Sequence, residues 1–109
     1  MSPTIPFQGV LYLAGNSRAF PGRELNLCES CAKAFNWAVA LIVVDDEATT
    51  KGPEHRPVLQ AALQRLRDSR AGAILVPNRS TISPIDGEFH EFAERVEKAC
   101  AVIQVAAPR

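Results

Sequence analysis

The chain has 109 residues, a length that fits one small domain, and we expect a single domain over residues 1–109. Hydrophobic residues make up 47% and charged residues 22%, which is typical of a globular protein and excludes a disordered or collagen-like chain. Twelve Lys and Arg balance twelve Asp and Glu, so the formal net charge is zero. Free-standing nucleic-acid-binding domains usually have a basic excess, and tight autonomous DNA binding is therefore disfavoured.

The apolar stretches of the chain are too short to cross a membrane. The longest, 37–44 and 99–107, have far fewer than the roughly 20 residues of a transmembrane helix. The first ten residues lack the basic start and continuous apolar core of a secretory signal. Three cysteines, an odd number, fit free thiols in a reducing compartment. We therefore expect a cytoplasmic protein with no membrane partner.

In the first half of the chain, short apolar runs alternate with helical periodicity. Residues 10–14 (VLYLA) predict the first strand, and residues 24–37 predict the first helix. The apolar face of this helix consists of Leu27, Cys28, Cys31, Ala32 and Phe35. Residues 38–44 (AVALIVV) are apolar at every position, which predicts a parallel strand covered on both faces.

The second half of the chain continues the alternation. Pro57 suits the first turn of a second helix, and Gly72 is a natural stop for it. Residues 73–76 (AILV) predict a third strand, and residues 101–107 a fourth. Between them, Ser83 is the expected N-cap of a third helix with Pro84 in its first turn. The apolar face of this helix consists of Phe89, Phe92, Ala93, Val96, Ala99 and Cys100.

Strands that alternate with helices are typical of βαβ crossovers. We therefore predict a three-layer α/β/α fold with a four-stranded, mainly parallel sheet. The loops that follow the first three strands would then meet at one edge of the sheet. The polar residues of these loops are Asn16, Ser17 and Arg18; Asp45, Asp46, Glu47, Thr49 and Thr50; and Asn78, Arg79, Ser80 and Thr81.

Hydroxyl groups and arginines in these loops suit a phosphate ligand. The guanidinium groups of Arg18, Arg56 and Arg79 could each pair with two phosphate oxygens, and helix N-termini also favour anions. The alternative is that these are ordinary solvated loop residues, since loops are polar in every α/β protein.

Two other patterns suggest redox or metal chemistry. Cys28 and Cys31 form a CxxC, but it falls in the middle of a predicted helix, so core packing is the better interpretation. No second CxxC or nearby pair of histidines completes a zinc site. Asp45 and Asp46 could hold Mg²⁺, although a solvated strand end is the simpler explanation. We expect no metal and no cofactor.

Residues 56–76 consist of an arginine followed by proline, a helix of LxxAL type and a buried strand. Before them, Asp45 and Asp46 end the second predicted strand, and a small hydroxylic residue, Thr49, follows. This order, together with FQGVLYLAGNS near the start, resembles the catalytic domain of the serine recombinases, the resolvase and invertase family. The resemblance covers nearly the whole chain and implies a resolvase-like fold. Members of this family join DNA strands through a serine phosphodiester, while arginines hold the scissile phosphate.

The resemblance is incomplete at the positions that carry the family's nucleophile. Tyr12 matches the tyrosine of the family's YARVS segment, but Ala14 stands where the family has an arginine. Asn16 stands where the nucleophilic serine belongs. Ser17, one position later, is the candidate nucleophile, and it could reach a phosphate only from a shortened or shifted loop.

The phosphate-binding positions of the family are also only partly kept. Arg56 matches an active-site arginine, and Asn78 with Arg79 matches the Asp-Arg of the family's DRLSR segment. Ile82 falls where that segment has its second arginine. Recombinases also continue into a long helix that contacts the partner subunit and into a DNA-binding region. The 109 residues hold neither, so we expect no strand exchange by this chain alone.

Two classes of function remain open. In the preferred one, the domain has lost recombinase catalysis and acts as a regulatory or protein-interaction module, in a homodimer or with a protein partner. Its contact surface would be an exposed apolar patch, expected at Phe89, Phe92 or the final strand. In the alternative, the chain is a DNA-acting subunit that keeps a phosphate pocket at Ser17, Arg56 and Arg79. If the chain acts as a regulatory or protein-interaction module, we expect any binding of DNA to be weak.

Overall fold

The computed structural model describes residues 7–16, 18–48, 50–69 and 71–106. In this part of the chain, strands and helices alternate in the predicted order. The strands are β1 (Gln8–Ala14), β2 (Ala38–Asp45), β3 (Ala73–Val76) and β4 (Val102–Val105). The helices are α1 (Gly22–Ala34), α2 (Pro57–Ser69) and α3 (Asp86–Lys98), with short 3-10 turns at Pro53–His55 and Arg79–Thr81. None of the helices in the described ranges is both long and apolar enough to span a membrane.

The four strands form one parallel sheet in the order β2-β1-β3-β4. Side chains that alternate along β1 enter two separate clusters, so both faces of the sheet are covered. Leu11 and Leu13 pack with Cys28 and Ala32 of α1 on one face. The other face packs against α2 and α3, through Val10, Tyr12, Leu59, Leu63, Phe92 and Val96. The predicted three-layer α/β/α fold is confirmed.

The continuous apolar sequence of β2 predicted a strand that is covered on both faces, and this prediction is wrong. β2 lies at the edge of the sheet, and Val39, Ala40 and Ile42 are exposed. The register with β1 shifts so that Gly9 pairs with Val39 and Val10 with Leu41, which leaves Ala40 as the extra residue of a bulge. A purely apolar strand sequence therefore does not distinguish an edge strand from a central one.

Three further expectations about buried residues are wrong. Cys100, expected on the buried face of the third helix, is exposed and lies beyond the end of α3. On α1, Leu27 and Phe35 are exposed, because the helix buries a narrower stripe centred on Cys28 and Ala32. On α3, Phe92 is buried in the core under the sheet, so it contributes nothing to an exposed patch. Phe89 is half-buried.

Ser83 is not the N-cap of α3, because the helix begins at Asp86 and Ile85 occupies the cap position. The Ser83 hydroxyl instead accepts a hydrogen bond from the amide of Ile85 (3.0 Å) and donates one to Oε1 of Glu88 (2.7 Å). These contacts order the approach to the helix. Ser83 is itself buried, so the polar residue predicted to start the helix holds the preceding loop in place.

Helices α1 and α3 end in the same way. The residue after each C-cap, Asn36 or Cys100, has a left-handed backbone with φ of 62° or 61°. Their amides donate to Lys33 and Glu97, and the next amide donates to the carbonyl of Ala32 or Val96. This is the Schellman arrangement, in which glycine is the preferred residue.

Candidate functional site

The carboxyl edge of the sheet is the place where this topology can build a site. The connection after β1 leads to β2 on one side, whereas the connection after β3 leads to β4 on the other side, which opens a crevice between the loops that follow β1 and β3. Hydrogen bonds join these loops: the Gly15 amide donates to the Asp45 carbonyl (3.2 Å), and the Arg56 side chain donates to the Thr81 carbonyl. The three polar loops predicted to meet therefore do so.

Tyr12 and Asp45 form a buried polar pair under this edge. The Tyr12 hydroxyl donates to Oδ2 of Asp45 (2.5 Å), and the Glu47 amide donates to Oδ1 (2.9 Å). Burial raises the pKa of Tyr12 well above its ordinary value, and the hydrogen bond and negative charge of Asp45 raise it further, whereas Arg56 opposes the shift. Asp45 is thus engaged with two donors inside the protein.

Arg56 is also buried, at 2% exposure, and joins two loops. Its Nε donates to the Lys51 carbonyl (2.6 Å) and its Nη1 to the Thr81 carbonyl (2.8 Å). Arg56 lines a cavity of about 360 Å³ together with Lys51, Ser80 and the Glu88 carboxylate, among others. The cavity therefore offers cations and a hydroxyl to an anion, but it also contains a negative charge.

Arg79 and Arg18 lie outside the cavity lined by Arg56. Nη2 of Arg79 pairs with Oδ1 of Asp86 (3.1 Å), and its guanidinium carbon lies 4.5 Å from the centre of the Phe89 ring. Arg18 is exposed. The side chain of Asn78 caps the turn that follows it, since its Oδ1 accepts from the Thr81 amide (3.1 Å). Binding of phosphate by these arginines stays a prediction.

The loop after β1 is closed by Asn16. Its Oδ1 accepts hydrogen bonds from the amides of Arg18 and Ala19, both at 2.8 Å. Ser17, the candidate nucleophile, lies outside the described residues, and its role stays a prediction.

A second cavity, of about 390 Å³, lies at the carboxyl ends of β1 and β2. Its lining residues are Gly15, Asn16, Phe20, Val44 and Asp46. Phe20 and Asp46 are exposed. Hydrophobic periodicity does not predict a role for Phe20, because the residue lies in a short loop outside any helix or strand. The signal in the sequence is an isolated aromatic residue among small and polar ones.

The CxxC motif is part of the core, as predicted. Cys28 is buried, and burial raises the pKa of its thiol to about 12. Burial also raises the pKa of the half-buried Cys31. Neither thiol has the lowered pKa that thiolate chemistry requires.

Solved structures with this architecture include serine recombinase domains. The C-terminal catalytic domain of ISC1926 TnpA, an IS607-like serine recombinase, matches with a TM-score of 0.77 and 15% identity, over 94% of this chain and 69% of that one. The C-terminal catalytic domain of IS1535 TnpA, also an IS607-like serine recombinase, matches with a TM-score of 0.64 and 21% identity, over 91% and 71%. This chain has the serine recombinase catalytic fold.

The N-terminal catalytic domain of TP901-1 integrase is another such structure, with a TM-score of 0.75 and 15% identity over 91% of this chain and 76% of that one. No family model and no curated protein sequence matches the chain, so its likeness to known proteins is one of fold. The predicted resolvase-like architecture is confirmed.

Within this serine recombinase fold, the candidate site residues are brought to one edge of the sheet but do not converge on one point. Arg56 is tied to backbone carbonyls, and Arg79 contacts Asp86 and Phe89. At the position where the resemblance places a nucleophilic serine, the Asn16 amide closes its own loop. Arg56, Arg79 and Asn16 are therefore each held by contacts with other groups of this protein.

Proposed function

We propose that this chain is a serine recombinase family member that has lost strand-transfer catalysis and acts in the cytoplasm as a regulatory or protein-interaction module. It would work as a homodimer or with another protein. The observation that carries the proposal is the exposure of large apolar side chains along edge strand β2 and the neighbouring helix α1.

The exposed side chains in question are Leu27 (41%), Phe35 (51%), Val39 (39%) and Ile42 (42%), which together are called the β2 surface below. Val39 pairs with Gly9 and Ile42 with Leu11, so both lie on the face of the sheet that carries α1. The outer edge of β2 pairs with no other strand in the described sheet, and residues 38–44 contain no charge and no proline. An uncharged, apolar edge strand is a template for binding another protein.

The contacts of the former phosphate-binding positions support the loss of catalysis. An asparagine amide at position 16 cannot form a phosphodiester with DNA, because it has no hydroxyl oxygen. Arg56 is committed to two carbonyls, and Arg79 to a carboxylate and a ring. A chain with zero net charge also attracts the DNA backbone weakly.

The competing function is that of a DNA-acting subunit with a phosphate pocket at Ser17, Arg56 and Arg79. The cavity lined by Arg56, Lys51 and Ser80 favours it, because these groups could hold an anion. The two functions differ in the affinity for DNA that they require. Titration of a fluorescently labelled duplex with the protein at about 50 mM salt measures DNA affinity where its electrostatic component is large.

We expect no change in the fluorescence anisotropy of the duplex. Binding that weakens steeply with salt and is lost in Arg79→Ala would overturn the proposal in favour of the DNA-acting subunit. The interaction surface is tested by sedimentation velocity and by partner cross-linking with Ile42→Lys. Val58→Lys is the matched control, since Val58 is a similarly exposed apolar residue on α2, which packs on the other face of the sheet. A strictly monomeric protein with no partner would refute the module.

A further inference from the structure

The cavity at the carboxyl ends of β1 and β2 has an unusual combination of an exposed aromatic ring and an exposed carboxylate. Phe20 is 60% exposed, and it lines a cavity of about 390 Å³ together with the exposed Asp46. Val44 adds an apolar wall, and Asn16 a polar one. Val44 also packs against the core and Asn16 closes its own loop, whereas Phe20 and Asp46 belong to neither core cluster and leave their side chains exposed around one opening.

Asp46 makes this cavity attractive to a cation. Its charge helps to raise the pKa of Lys51, which ion-pairs with Glu47, but within the described residues Asp46 itself has no ion-pair partner at 4 Å or less. The neighbouring Asp45 is buried and bound by Tyr12. The carboxylate of Asp46 is the charged group among the residues that line the cavity. A phosphate at this position would be repelled, and a positively charged group would be attracted. The cavity lined by Asp46 is therefore negatively charged, whereas the cavity lined by Arg56 also contains the positive charges of Arg56 and Lys51.

The exposed ring of Phe20 favours an arginine over a lysine as the cation. The face of an aromatic ring attracts a cation, and a planar guanidinium can stack on it while its N–H groups point at a carboxylate. A lysine ammonium is a compact, strongly hydrated charge and gains less from a flat apolar surface. An open cavity of this size admits a side chain presented by another protein.

We propose that the cavity formed by Gly15, Asn16, Phe20, Val44 and Asp46 receives an arginine side chain from a protein partner. The proposal rests on the proposed function, because the partner that covers the β2 surface would supply the arginine. The cavity is continuous with the β2 surface, because Val44 and Asp46 lie two and four residues after Ile42 at the end of the same edge strand. The β2 surface then provides apolar contact area, and the cavity selects for an arginine at one end of it.

The test is a titration of the isotope-labelled protein with the capped tripeptide Gly-Arg-Gly, followed by amide chemical shifts in nuclear magnetic resonance spectra. The matched probe is the same peptide with citrulline, which keeps the planar shape and loses the charge. We expect saturable shifts at Phe20, Val44 and Asp46 with the arginine peptide only. Asp46→Asn and Phe20→Leu should each weaken binding by about threefold or more, which is the size of an exposed charge or cation–π contact.

The control variant is Glu97→Gln, which removes an exposed negative charge near the end of α3, far along the chain from the cavity. It should bind the arginine peptide as the unmodified protein does. Equal shifts with the citrulline peptide, an unchanged affinity in Asp46→Asn, or shifts of the same amides by inorganic phosphate would each overturn the arginine assignment. Loss of partner cross-linking in Ile42→Lys without any arginine-dependent shift would refute the cavity proposal and leave the proposed function standing.

Discussion

The Tyr12 hydroxyl donates a hydrogen bond of 2.5 Å to Oδ2 of Asp45, and both residues are almost completely buried. The bond joins the centre of β1 to the last residue of β2. The Glu47 amide donates to the other carboxylate oxygen, so the buried charge is stabilised by two donors. This pair fixes the start of the loop that carries Asp46, and with it one side of the proposed arginine cavity.

Removal of the Tyr12 hydroxyl should therefore destabilise the fold. Tyr12→Phe keeps the ring in the core and leaves one oxygen of Asp45 without its donor, which should lower the free energy of unfolding by about 2 kcal/mol. Asp45→Asn should cost a similar amount, because its single amide oxygen can accept from Tyr12 or from the Glu47 amide but not from both. Urea denaturation of the two variants and of the double variant measures both effects. Equal losses in the three proteins would show that the pair acts as one unit, and no loss in Tyr12→Phe would refute its structural role.

The raised pKa of Tyr12 predicts a dependence of stability on pH. In the unfolded chain a tyrosine ionises near pH 10, whereas in the folded protein Tyr12 stays neutral to higher pH. The native state then binds more protons than the unfolded state above pH 10, so its stability falls as the pH rises through this range. Tyr12 is the single tyrosine, and its ionisation can be followed directly by ultraviolet absorbance. The slope should be smaller in Tyr12→Phe, and tyrosinate formation near pH 10 in the native protein would contradict the prediction.

Arg56 and Arg79 should differ sharply in their contribution to stability. Arg56→Ala removes donors from two carbonyls that belong to different loops and empties a buried position, which should cost about 2–4 kcal/mol. Arg79→Ala removes an exposed ion pair and should cost about 1 kcal/mol or less. The two variants are matched controls for each other in urea denaturation. A small, equal loss in both would mean that Arg56 does not hold the loops and is free for a ligand.

The architecture could be predicted from the sequence because apolar runs and helical stripes directly record burial. β1 and β3 are buried, as their apolar sequences predicted, and they lie in the centre of the sheet. The position of β2 could not be predicted in this way, because the sequence of this edge strand is as apolar as that of a central strand. The cavity lined by Phe20 and Asp46 could not be predicted for a related reason: its residues come from the loop after β1 and from the end of β2, and they share no periodic spacing.

The three cysteines should react with a thiol reagent in a fixed order. Cys100 is exposed, Cys31 is half-buried, and Cys28 is buried with its thiol pKa raised to about 12. At neutral pH we expect Cys100 to react first and Cys28 only on unfolding, because the thiolate is the reactive form. A Cys100→Ser variant should lose the fast phase in a colorimetric thiol assay. Rapid loss of both Cys28 and Cys31 to a mutual disulfide would contradict the packing of the CxxC motif.

The left-handed residues at the ends of α1 and α3 allow a paired test of backbone strain. Cys100 has φ of 61°, a conformation that is costly for most side chains and free for glycine. Cys100→Gly should therefore raise the free energy of unfolding by about 0.5–1 kcal/mol. This is a net value, because the relief of backbone strain is partly offset by the greater conformational entropy of glycine in the unfolded chain.

Two variants separate this backbone effect from other causes. Asn36→Gly, at the equivalent position of α1, should gain less, because asparagine tolerates the left-handed region better than cysteine does. Cys100→Ala removes the thiol but keeps a Cβ, so it should give no comparable gain. Urea denaturation under reducing conditions compares the three proteins. If Cys100→Ala stabilised the fold as much as Cys100→Gly, the gain would come from loss of the thiol, and the Schellman geometry at the end of α3 would carry no strain.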